Sequence, residues 1–319
     1  MHKKILFFFL LYIAASSLVF SQTGAVSGFV YNGSADSAIV SGIDVELLVY
    51  QGHSLIDDST YVQTTNERGE FSFHAVPFDT LKTYYPRATF EGVVYYGHGA
   101  RLFPGHGSLQ SSVVVYDTTS LKNMISFQLE HLFIEPEEEG IRMREIFIIQ
   151  NMGTKTFIGQ NYSDSSGSWV LKFPLPEHFH DLEILTPEAR QSVFIKEGNL
   201  LTTDLLSPGS RQLSYRYFVP HKKGDWHYTR DTLYPIGEVN IFISNPEVSL
   251  EGPGIMPMGN FPIRNINYKR YSVRGLMPGK TLDITVTNLP DKSFPVKWVV
   301  LIAVGILLVV GFGYTLRKS

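Results

Sequence analysis

Polar and apolar residues alternate along residues 44–50 (DVELLVY) and 70–73 (EFSF), which turns one face of an extended segment to a core and the other to water. Glycine, proline, asparagine and aspartate interrupt such segments at short intervals, and 13 % of the residues are aromatic, a strand-rich pattern. No sustained 3.6-residue apolar stripe occurs between the ends of the chain, so helices there should be few and short. The pattern predicts strands at 25–31, 44–50, 61–65, 70–74, 84–96, 112–116 and 125–134. After these come 142–150, 156–158, 169–173, 193–196, 212–219, 231–233, 238–243 and 281–288, of which 213–219 (LSYRYFV) alternates most clearly. Residues 252–259 (GPGIMPMG) read as an irregular loop whose methionines either fill core gaps, the commoner role, or form a partner surface. Between the two series lies EPEEEG, residues 135–140, where proline denies a ladder hydrogen bond and four carboxylates resist burial. The expected fold class is therefore all-β: two β-sandwich domains, 22–135 and 141–289, joined by a hinge at 136–140.

Both ends are apolar. Residues 298–316 carry no charge, and at about 1.5 Å per residue they span about 28 Å, close to the hydrocarbon thickness of a bilayer. They read as one C-terminal transmembrane helix after a juxtamembrane linker, 290–297, and before a cytoplasmic tail, 317–319. At the other end MHKK precedes an apolar run, 5–20, and then Ser21-Gln22-Thr23. This is a signal peptide, 1–21, cut after Ser21, or an uncleaved signal anchor. Either way residues 22–297 lie outside the cytoplasm; with the signal peptide removed they are the ectodomain of a single-pass protein of the inner (cytoplasmic) membrane, in the periplasm or at the cell exterior.

Composition narrows the function. The chain of 319 residues has no cysteine, which excludes disulfides, thiolate metal sites, a cysteine nucleophile and a lipidated amino-terminal cysteine. An exported chain without cysteine suits a bacterial envelope. A formal net charge of −3 gives no footprint for nucleic acid. The partners expected are the membrane and an envelope protein or polysaccharide, and no cofactor is expected.

The segments Ser27-Gly28-Phe29-Val30-Tyr31, Ile43-Asp44-Val45-Glu46-Leu47 and Thr64-Thr65-Asn66-Glu67-Arg68-Gly69-Glu70-Phe71-Ser72-Phe73, followed by Val76-Pro77, resemble the carboxypeptidase regulatory-like domain. The resemblance covers residues 24–97. It implies a transthyretin-like (prealbumin-like) sandwich of seven strands and no reaction, because that domain accompanies catalytic or transport domains and contributes no catalytic residue. The residues agree: Asn66 to Gly69 form a tight hairpin turn with Gly69 at positive φ, and Phe71 and Phe73 then point together into the core. Residues 144–157 (REIFIIQNMGTKTF) and 206–211 (LSPGSR) resemble a companion domain of membrane-anchored exported proteins, some of them associated with cytochrome c maturation.

Candidate chemistry is sparse. His180-Asp181-Leu182-Glu183 has the local His-x-x-Glu spacing of a zinc site, with His178 two residues earlier, but two-residue spacings of common residue types recur by chance. His98-Gly99 and His106-Gly107 flank a glycine-rich loop that either closes over a ligand or is plain surface. No nucleophile elbow, phosphate-binding glycine motif or dinucleotide fingerprint occurs. Aromatic residues offer flat apolar area with a polar tip. Tyr84, Tyr95, Tyr96, Trp226 and Tyr228, with Tyr85 and Tyr234 nearby, are the candidate ligand surface for sugar or peptide; the competing role of each is core packing. The sequence thus reads as a noncatalytic, membrane-tethered module that binds or assembles a partner protein or envelope polymer. The alternative is a metal-dependent hydrolase using His178, His180 and Glu183.

The topology is open to test. Protease added to spheroplasts is expected to digest the body and spare a small tagged C-terminal fragment; a fully protected body would exclude this orientation.

Overall fold

A computed structural model describes residues 23–57, 61–99, 101–159, 168–221 and 224–289. The residues read as signal peptide and membrane span lie outside these. Among the described residues no helix is long and apolar enough to cross a membrane. The chain is all-β, and it divides into two compact units, one ending at Thr118 and the other beginning at Thr119.

The first unit is a sandwich of two five-stranded sheets. Thr23–Asn32 is the centre of one, antiparallel to Glu70–Pro77 and Ala38–Ile39 and parallel to Ser108–Gln110 and Val113–Val115. Asp44–Gln51 and Lys82–Phe90 form the middle of the other, with Val93–Tyr96 on the far side of Lys82–Phe90. The strands number ten rather than seven, because long extended runs are broken by bulges and change partners along their length. Val26, Val30, Val45, Leu47, Phe71, Phe73 and Val113 fill the space between the sheets. The turn expected at residues 66–69 is present. Asn66 Oδ1 accepts from the amides of Arg68 and Glu70, and Gly69 stands at φ +69°. A Cβ built there would lie 2.4 Å from Ile39 Cγ2.

The second unit packs one seven-stranded sheet against two three-stranded ones. In spatial order the large sheet runs His180–Ile184, Gly209–Pro220, Gly140–Asn151, Ile125–Glu137, Ile236–Ile243, Ile266–Leu276 and Met256–Ile263, with only the fourth and fifth strands parallel. One small sheet is Trp226–Asp231, Thr281–Thr287 and Ser249–Glu251; the other is Leu171–Pro174, Asn199–Thr202 and Val193–Lys196. Phe127, Phe147, Phe173, Tyr215 and Tyr234 form a chain of packed rings at the centre of the core.

The hinge expected at 136–140 is not a hinge. Glu137 pairs with Gly140, Pro136 with Ile141 and Glu135 with Arg142, so the run is the tip of the hairpin joining the two central strands of the large sheet. Its carboxylates need no burial there: Glu137 accepts from Arg142 Nε at 2.6 Å and Glu135 from the Tyr268 hydroxyl at 3.0 Å. The division between units therefore falls near residue 118 instead of 135. Residues 256–259, expected in a loop, open the edge strand Met256–Ile263. Its alternation is masked by Pro257, Gly259 and Pro262 and by a bulge after Pro257. The two-residue connection Arg264-Asn265 makes Ile263 and Ile266 the hydrogen-bonded closing pair. Pro262 opposite Asn267 is then a non-bonded pair, and Pro257 opposite Tyr271 falls in the same class. Both prolines therefore aim their nitrogens at the open edge.

Gly69→Val is expected to destabilise the first unit by roughly 1–3 kcal/mol, from left-handed backbone and contact with Ile39 together. An unchanged melting temperature would remove the support for this turn.

Candidate functional site

The structure separates the five aromatic candidates. Adjacent residues of a strand face opposite sides, so each tyrosine pair contributes one ring inward and one outward. Tyr84 and Tyr95 are core residues, their hydroxyls donating to the carbonyls of Pro77 and Tyr116. Trp226 and Tyr228 face the core of the second unit, as does Tyr234. None of these four candidates is a ligand surface. Only Tyr96, 57 % exposed, stands where the sequence reading put it.

Around Tyr96 the outer face of the first unit builds a cleft of about 350 Å³ from residues the sequence reading passed over: Tyr50, Gly52 and His53, together with Tyr85. The register explains their meeting. Tyr96 lies opposite Arg87, and Leu48 opposite Tyr85, so Glu46, Leu48, Tyr50, Tyr85, Arg87 and Tyr96 share one face across three strands. Tyr50 and Tyr85 meet edge to face at 5.5 Å, and Leu48 in the same face is buried. Arg87 donates from Nε to Glu46 at 2.7 Å and also from its terminal nitrogen. That hydrogen bond raises the guanidinium pKa further and keeps it charged. A Cβ on Gly99 would come within 2.6 Å of the Tyr85 ring, so the backbone next to His98 packs directly on the tyrosine. The glycine-rich loop singled out in the sequence thus borders the cleft. Rings with fixed orientations beside an anchored arginine and carboxylate can stack on a flat apolar face and hydrogen-bond its polar rim.

The zinc-like residues do not assemble. Glu183 is held by Arg216, 2.7 Å from its Nε, and His180 Nδ1 lies 3.0 Å from Asp181. His178 sits at φ +60° in the preceding turn. Residues 180–184 form the edge strand beside Gly209–Pro220. Among the described residues no three His, Asp or Glu side chains gather closely enough to hold a metal ion.

A second polar constellation, unannounced in the sequence, lies inside the core of the second unit. Arg230 donates to Glu130 and to Glu145, each at 2.6 Å, and Glu145 also accepts from the hydroxyls of Tyr217 at 2.6 Å and Tyr215 at 3.2 Å. Both carboxylates are fully buried. Burial pushes Glu145 up to about 7; Glu130 adds to the rise, while Arg230 and the two tyrosines oppose it. Burial acts most strongly, against the charge on Arg230, but Glu130, Tyr228 and Glu145 together outweigh it and the guanidinium is held well above its ordinary value. Burial also raises Tyr215, Tyr217 and Tyr228 well above the phenol range. Perturbed groups of this kind are often catalytic. Here the hollow bordering Arg230 is about 20 Å³, room for one water and no substrate. The cluster is a structural element of the core.

No protein-family model and no curated relative matches the chain. The resemblance to the carboxypeptidase regulatory-like domain therefore rests on its own residues. Among solved structures, an M1 zinc metallopeptidase from Deinococcus radiodurans is 10 % identical over 51 % of this chain and 42 % of its own, with a TM-score of 0.32. The chain thus spans less than half of that peptidase. The major pilin SpaD from Corynebacterium diphtheriae is 7 % identical over 86 % of this chain and 89 % of its own, at 0.24. The major pilin BcpA from Bacillus cereus is 8 % identical over 84 % and 96 %, at 0.21. Scores this low carry neither fold nor function across.

The cluster gives a pH signature. Between the ordinary carboxyl value of 4.5 and about 7, native Glu145 holds a proton that the unfolded chain releases. Its contribution to stability therefore grows as pH falls from above 7 toward the ordinary value. Thermal melts across this window should show that slope, and Glu145→Gln should flatten it; an unaltered slope in the variant would place the proton elsewhere.

Proposed function

We propose that the chain is a noncatalytic envelope module, tethered by its C-terminal apolar segment to the inner membrane, that binds an envelope polysaccharide through the Tyr50, Tyr85 and Tyr96 cleft of its first unit. The cleft is the observation that carries this reading. A sugar presents apolar C–H faces bounded by hydroxyls, which matches exposed rings set beside the Arg87 and Glu46 pair. Leu48 and the edge-to-face contact with Tyr50 hold Tyr85 in place, so little side-chain freedom remains to be lost on binding. The hydrolase alternative finds no matching support, since Glu183 is committed to Arg216 on the sheet surface. The cytochrome c maturation context is carried by the resemblance of residues 144–157 and 206–211 alone.

The test is affinity electrophoresis of the detergent-solubilised chain through gels containing soluble envelope polysaccharide, with pelleting on peptidoglycan sacculi alongside. Retention is expected in at least one of these. Tyr96→Ala is expected to weaken it by about ten-fold, the scale of one lost stacking contact, at an unchanged melting temperature. Retention that ignores Tyr96→Ala, or no retention on any polymer, would sink the proposal.

A further inference from the structure

A cavity of the second unit, about 590 Å³, lies under the outer edge of the seven-stranded sheet. Its walls are Ile149 and Leu213 from the large sheet, Leu171 and Thr202 from a small sheet, and Leu185 and Ala189 from the segment between them. Arg211, Gln212 and Glu188 stand exposed at its mouth. The volume lies within the range of about 300–1,000 Å³ common to ligand pockets. Thr202 is only 4 % exposed, and its Oγ1 has no hydrogen-bond partner among the described residues. A buried hydroxyl left unpaired is unfavourable, and a bound polar group would satisfy it.

The sheet edge above the cavity is also unfinished. Ser214 turns its main-chain groups away from Gly140–Asn151: its N–H donates to Thr186 Oγ1 at 2.9 Å and its carbonyl accepts from the Leu185 amide at 2.9 Å. The ladder between Gly209–Pro220 and Gly140–Asn151 runs without a shift, so Gln212 and Ser210 turn their N–H and C=O groups to that same outer side. The neighbouring edge strand has ended by then, because the chain leaves at Thr186 into the 3₁₀ turn Pro187–Ala189. Among the described residues nothing hydrogen-bonds the outward main-chain groups of Gln212 and Ser210.

The geometry points to a peptide-binding site in which an extended segment of a partner protein adds to the edge at Ser210 and Gln212 and places alternate apolar side chains in this cavity. The two observations fit one occupant. A strand continuing the line of His180–Ile184 would pair with the free main-chain groups, and every second side chain would project to the core side, where Arg211 and Leu213 line the cavity. A compact apolar molecule would fill the cavity and leave the edge unpaired; a sugar would meet leucine and isoleucine walls. The recognised chemistry is an extended segment with leucine or valine on the side that faces the cavity and small polar residues on the other.

The probe is a fluorescent, capped heptapeptide alternating leucine and threonine, titrated by anisotropy into the full chain in detergent, with hydrogen–deuterium exchange on the complex. Saturable binding with new protection of amides 210–212 is expected. Gln212→Pro removes the outward N–H without touching the ladder to the neighbouring strand, and Leu185→Trp fills the cavity. Each is expected to weaken binding by about ten-fold or more, the equivalent of one to two main-chain hydrogen bonds or one buried side chain. Tyr96→Ala is expected to leave peptide affinity unchanged, which separates this site from the polysaccharide cleft. No saturable binding, protection confined to other segments, or full affinity in Gln212→Pro overturns the assignment. If either variant fails to fold, the exchange pattern of the native chain and the other variant decide.

Discussion

The second unit depends on one guanidinium held between two carboxylates in its buried core. Arg230 comes from a three-stranded sheet, and Glu130 and Glu145 come from adjacent central strands of the seven-stranded sheet facing it, so the cluster ties the two layers of the sandwich together. Burying charges is unfavourable unless they are paired and hydrogen-bonded, and removing one partner from such a group costs about 3–5 kcal/mol. Apolar contacts tolerate a strand that slides by two residues; this cluster does not. A one-residue slip of Trp226–Asp231 would bring Asp231 and Thr229 inside and set Arg230 in water, leaving two buried carboxylates without a cation. The interaction thus selects one register for the whole small sheet. With two acids for one base, neutrality requires a proton, and burial, which pushes Glu145 up to about 7, favours holding it there.

The two units solve the aromatic problem differently. In the second, the rings of Phe127, Phe147, Phe173 and Tyr215 are mutually packed and leave no ring of that chain to solvent. In the first, the same strands that send Tyr84 and Tyr95 inward hold Tyr85 and Tyr96 outward, so the core rings fix the pitch of the strand and with it the spacing of the outer rings. The back of the cleft is the core.

Much of the fold was legible because alternation is a local signal. The strands at 44–50, 193–196 and 213–219, the turn at Gly69 and the all-β class all follow from residues a few positions apart. What the sequence concealed is longer in range. The run EPEEEG has the composition of a linker, but its acids are matched by Arg142 and by Tyr268, the latter more than a hundred residues away, and this makes it a hairpin tip. Arg230 follows Tyr228 at strand spacing and so belongs to the buried face, yet nothing near it announces Glu130 or Glu145. The paired tyrosines were half readable: that one of each pair must turn inward follows from strand geometry, whereas which one depends on the phase set by Val45, Leu47 and Ala88 across the sheet. Tyr50 and His53 escaped notice because their role exists only once three strands stand side by side.

Pro257 and Pro262 give the large sheet a polarity of another kind. Strand addition propagates only if every new copy offers a fresh edge to the next, and here the far edge shows two positions with no N–H to give. A segment added beside Ser210 and Gln212, as proposed, would join a sheet whose opposite edge is short of two donors and so disfavours a further strand there. The same prolines guard the exposed Met256, Met258 and Phe261 on that strand, because an edge short of donors is a poor template for another strand.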